Sequence, residues 1–80
     1  MKAISLKILK ALLKQYEGNY EMAKANVAVY MDNMVGIGEH PDLAEAVDSQ
    51  ILLMVEAKDK IDMVKLLLEE SEWNLLKMLN

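Results

Sequence analysis

The chain has 80 residues, a net charge of −4, no cysteine and no arginine. These facts exclude a disulfide framework and a thiolate metal centre. They also make nucleic acid a poor partner, because arginine supplies the bidentate contacts that phosphates and base edges favour.

At this length a single core is marginal, so a staple or a partner is expected. The longest apolar runs, at 27–31 and 51–55, hold five residues each, against the ~20 that cross a bilayer. The first residues offer a lysine followed by apolar side chains, as a signal peptide does. However, Lys7, Lys10 and Lys14 interrupt them, so no continuous apolar region forms. The expectation is a chain of the reducing cytoplasm with no membrane span.

The first predicted element is a helix over about 3–34. Leu6, Leu9, Leu13, Tyr16, Tyr20, Ala23, Val27, Tyr30 and Met34 recur at alternating steps of three and four. That is the a/d pattern of a helix packed along a seam. Gly18 falls at f, the outermost position, where it costs about 1 kcal/mol relative to alanine. A local break at Glu17-Gly18-Asn19 is the alternative there. Asn19, Asn26 and Asn33 repeat every seven residues at g. They read either as a half-exposed boundary row or as a buried polar ladder that fixes register and oligomer number.

A turn is expected over 35–41, within MVGIGEHPDL (34–43), which gathers two of the three glycines and the sole histidine and proline. Gly36 and Gly38 allow the positive φ angles needed to leave a helix. Glu39, His40, Asp42 and Glu45 lie within one turn of each other, which makes them the candidate metal ligands. One histidine among carboxylates is a thin ligand set. Ordinary helix-start chemistry accounts for the same residues: Pro41 suits the first helical position, acids favour the N-terminal dipole, and Asp42-x-x-Glu45 resembles a capping box.

The second helix is expected over about 42–79, with the seam Leu43, Val47, Gln50, Met54, Ala57, Ile61, Val64, Leu68, Ser71, Leu75 and Met78. At ~1.5 Å per residue the two helices run roughly 45 and 55 Å. Pairing positions whose numbers sum to 77 sets Met34 against Leu43, Tyr30 against Val47, Ala23 against Met54 and Tyr20 against Ala57. Every a then faces a d, as an antiparallel hairpin requires, and large residues face small ones. Flanking e positions bring Lys10 near Glu72 and Glu17 near Lys65, with Lys24 near Lys58 as a mismatch. Such exposed pairs contribute a few tenths of a kcal/mol at most, so they only break ties on orientation. The tail WNLLKMLN overhangs the shorter helix.

A two-helix hairpin buries one stripe per helix, and this chain holds more apolar side chains than that. The surplus exceeds what monomers tolerate on their surfaces. It predicts self-association, most simply two hairpins making a dimeric four-helix bundle. The expected assembly surface is Ile4, Ile8, Leu12, Leu67, Trp73, Leu76 and Leu79, with Ile51, Leu52 and Val55 next.

Catalytic chemistry has little to stand on. The only small nucleophiles are Ser5, Ser49 and Ser71, and helix register sets none beside His40 except, loosely, Ser49. No phosphate-loop or dinucleotide fingerprint occurs. The carboxylates of the second helix lack the Glu-x-x-His of di-iron bundles and read as a solvated face. Tyr16, Tyr20 and Tyr30 read as core residues with outward hydroxyls. The basic segment 2–14 could lie on an anionic membrane, but its apolar face also completes the seam, which is the simpler use.

The segment YMDNMVGIGEHPDLAEAVDSQI (30–51) resembles one found in short helical-hairpin proteins of tailed bacteriophages. There a helix ends, a Gly-Ile-Gly-Glu-His turn follows, and a second acidic helix begins. The resemblance implies a viral accessory protein acting in the bacterial host cytoplasm, and it identifies no catalytic residue. Together these readings predict an all-α antiparallel hairpin, coiled-coil-like and single-domain. It is expected to lack enzymatic activity and cofactor, and to bind itself and a host or viral protein. The alternative is a small-molecule or metal-ion binder with its site at the 36–45 turn or between subunits.

Overall fold

A computed structural model describes residues 2–33 and 41–79, apart from the side chains of Pro41, Leu75 and Leu79. Two helices make up all of its regular structure: α1 over Ala3–Asp32 and α2 over Pro41–Leu79. The molecule measures 63 × 16 × 14 Å. Two helices side by side fill that cross-section, since each is ~10 Å across with its side chains. The near-square section fits two helices that wind about each other, so the shape is a twisted plank, one pair of helices thick.

The expected seam is the buried line of the structure. On α1 every seam residue from Leu6 to Tyr30 is buried or half-buried, and on α2 so is every one from Leu43 to Ser71. Met34 and the side chain of Leu75 lie outside the described residues. Among the described residues only Ala23, at 2% exposure, Ala57 and Val64 are buried, and the rest of the seam is half-buried. Small side chains hold these central positions because they let the backbones approach, and the larger partners close over them.

Two polar contacts fix how the helices face one another. The side-chain amide of Asn26 donates to Oε1 of Gln50 at 3.0 Å, and the Lys60 ammonium lies 5.3 Å from the centroid of the Tyr16 ring. Each joins a g position of one helix to a d position of the other. The two g rows therefore share one edge of the plank, as antiparallel pairing demands.

The helix ends follow from local chemistry. α2 begins at Pro41, whose fixed φ suits a first helical position. Asp42 in its first turn and Lys77 in its last both oppose the helix dipole. α1 starts less well: Lys2 caps it without a side-chain hydrogen bond, and its first turn holds no acid. At its other end Asn33 donates its side-chain amide to the Val29 carbonyl at 2.6 Å, and its backbone N–H reaches the same oxygen at 3.2 Å. One of the three asparagines is thus a helix stop.

Two expectations change. α1 runs unbroken through Gly18, so the alternative of a break at 17–19 is not realised. The charged pairs across the e edge do not close. Among the described residues the one ion pair joins Lys58 to Asp62 at 3.6 Å, four residues along the same helix, with both side chains more than 60% exposed. Lys58, expected near Lys24, pairs with Asp62 on its own helix. Lys10–Glu72 and Glu17–Lys65 offer too little in water to immobilise two long side chains. The 35–41 turn lies, save for Pro41, outside the described residues.

Candidate interaction surface

The hairpin leaves about half of its described apolar side chains exposed to water. Among the described residues fourteen large hydrophobic side chains are exposed, including Trp73 at 65% and Met78 at 83%. The total accessible surface is 6486 Å², whereas a compact monomer of this mass shows about 4,900 Å². Part of the excess follows from the elongated shape. The exposed hydrophobic residues contribute to that surface.

Of the residues expected to form the assembly surface, Ile4, Ile8, Ile51, Leu52, Val55, Trp73 and Leu76 are exposed. Leu12 and Leu67 are half-buried instead. Both are g residues on the shared edge, so the hairpin's own packing partly consumes them. The side chain of Leu79 lies outside the described residues. The exposed set does not form one patch. Ile4 and Ile8 sit at f and c on the outer side of α1, while Trp73 sits at f on the outer side of α2. These faces look away from each other across the plank, so one docking event cannot cover both.

The two outer faces differ in charge. On α1 the charges between residues 3 and 31 are Lys7, Lys14 and Glu21 at b, and Lys10, Glu17 and Lys24 at e. The c, f and g rows in that span carry none. The pattern was present in the sequence as an absence, and a search for apolar repeats passes over it because alanine, glycine and glutamine interrupt the row. On α2 the c and f rows mix Leu52, Met63, Leu66 and Trp73 with Glu45, Glu56, Asp59 and Glu70.

The g edge holds an open groove of about 300 Å³, lined by Asn19, Met22, Asn26, Gln50, Leu53 and Lys60, among others. Asn19 and Asn26 are exposed here, so within one chain their row is a boundary and not a buried ladder. A second groove of about 450 Å³, near the N-terminus of α1, includes Leu6, Lys10, Leu68, Glu72 and Met78. The lining of the second groove brings Ser71 together with Lys10 and Glu72. The Ser49 hydroxyl donates to the Ala46 carbonyl at 2.7 Å, three residues back on its own helix.

Of the metal candidates, Glu39 and His40 lie outside the described residues, and Asp42 and Glu45 are exposed. Among the described residues no three His, Asp or Glu side chains converge as a metal site would need. Nor is any described helix long and apolar enough to cross a membrane. No protein-family model, curated protein or solved structure matches this chain.

Proposed function

We propose that this protein works by association and not by catalysis: a self-associating helical hairpin that presents a surface to a host or viral protein. The observation that carries the reading is the exposed apolar set on a one-layer plank whose buried core, among the described residues, is Ala23, Ala57 and Val64. Three small residues give a core far below what a stable monomer of this length needs. Association covers apolar surface that a single hairpin leaves in water. The likeness of segment 30–51 to short hairpin proteins of tailed bacteriophages supports an accessory role in the bacterial cytoplasm.

Two outer faces allow two uses. One face joins copies, and the other, with Leu52, Leu66 and Trp73, receives a different protein. Aromatic anchors such as Trp73 are the residues that dominate protein–protein affinity. The test is a pull-down from bacterial lysate with the wild type and with Trp73→Ala. The reading predicts a saturable complex that Trp73→Ala weakens while its mass in solution stays that of the wild type. Equal capture by both proteins would remove the α2 face from the account.

A further inference from the structure

We propose that the second copy docks antiparallel along the outer face of α1, so that the centre of the dimer is an α1–α1 contact between Gln15 and Gly18. This rests on the self-association proposed above and specifies the face and direction it uses.

The first ground is charge. Every c and f position from 4 to 29 is exposed, and none is charged. An exposed helix face normally carries charge along its length, as the b and e rows of the same helix do. The corresponding rows of α2 hold carboxylates at Glu45, Glu56, Asp59 and Glu70, which would be left unpaired if two α2 faces met.

The second ground is size. The f row is small where the c row is large. Antiparallel pairing of the stripe with itself sets Gln15 against Gly18 of the second copy and Ala11 against its Met22. It also sets Ile8 against Ala25 of the second copy and Ile4 against its Val29. Both halves of the contact repeat the same pairs, as a two-fold axis requires. The three inner pairs set a large residue against a small one, which lets two helices approach closely and still fill the space between them.

The third ground is Gly18. It is exposed, helical and free of positive φ, and a Cβ added there would meet nothing within 4 Å. The hairpin therefore has no use for a glycine that alanine would improve. In the α1–α1 contact it stands beside the axis, where the backbones come closest.

The area allows it. A standard interface takes about 800 Å² from each partner, half of the roughly 1,600 Å² by which the accessible surface of one chain exceeds that of a compact monomer of this mass, and the stripe from 4 to 29 runs about 38 Å along the helix.

The chain has no cysteine, so introduced thiols report without background. The test compares the double variant Ala11→Cys with Met22→Cys against each single variant, under mild oxidation on non-reducing gels, alongside the mass of the wild type. Positions 11 and 22 are about 16 Å apart along one helix, too far for a disulfide within the chain. Because all these positions are exposed, the variants should fold. Ile4→Cys with Val29→Cys is the second pair. The expected result is a covalent dimer from each double variant and none from the single variants. Single variants that cross-link as readily as the double would mean parallel pairing. A wild type with the mass of two chains and no cross-link in either pair would mean another face. Either overturns the proposal while leaving self-association standing. A wild type with the mass of one chain overturns both.

Discussion

Asn26 and Gln50 make the hydrogen bond that ties the two helices together on the g edge, Nδ2 to Oε1 at 3.0 Å. Gln50 is one of two polar residues on the α2 seam. Its amide turns out of the seam towards Asn26, beside Val27, the residue that the heptad pairing sets against it. An exposed neutral hydrogen bond is worth no more than about 0.5–1.5 kcal/mol. A double-mutant cycle with Asn26→Ala and Gln50→Ala should show a coupling of about 0.5 kcal/mol. Additive losses would mean that the contact is not held in solution.

Ala23 and Ala57 allow the close approach of α1 and α2. Ala23→Leu should therefore destabilise the hairpin by about 1–3 kcal/mol through overpacking. Ala28→Leu, on the exposed b row of the same helix, should change stability by less than about 0.5 kcal/mol. Thermal unfolding followed by circular dichroism separates the two. Equal effects would contradict the seam.

α1 begins with a lysine at its cap and no acid in its first turn. Lys2→Asp adds a side-chain acceptor for free backbone N–H groups and reverses an unfavourable charge at the helix dipole. It should raise stability by about 0.5–2 kcal/mol at low salt, and part of that gain should disappear in high salt. Denaturant midpoints at two ionic strengths measure both parts. No gain at low salt would show that α1 frays before residue 6.

Gly18→Ala separates the needs of the hairpin from those of the assembly. Helix propensity alone favours alanine by about 1 kcal/mol. If Gly18 serves a close helix–helix contact, the variant gains helicity at low concentration and loses affinity between copies. Dissociation constants for wild type and variant decide this. A variant that associates as tightly as the wild type leaves Gly18 without a role in assembly.

The seam was legible because burial imposes a strict period. Leu6 to Tyr30 and Leu43 to Ser71 needed only the three-and-four spacing to be found, and antiparallel direction followed from the size matching of Tyr20 with Ala57 and Ala23 with Met54. The charged pairs were less legible, because a surface lysine such as Lys58 has several carboxylates within reach and a shallow preference among them. The cap at Asn33 was hidden by its place in a seven-residue row, where spacing suggested one shared role for three asparagines. The α1 stripe was hidden for another reason. It is marked by missing charge, while its residues range from isoleucine to glycine.

The most direct measurement is the mass of the native chain by sedimentation equilibrium at micromolar concentration. A self-associating hairpin should show twice the 9.1 kDa of one chain, with a melting temperature that rises with concentration. A mass of 9.1 kDa, with cooperative unfolding independent of concentration, would contradict it.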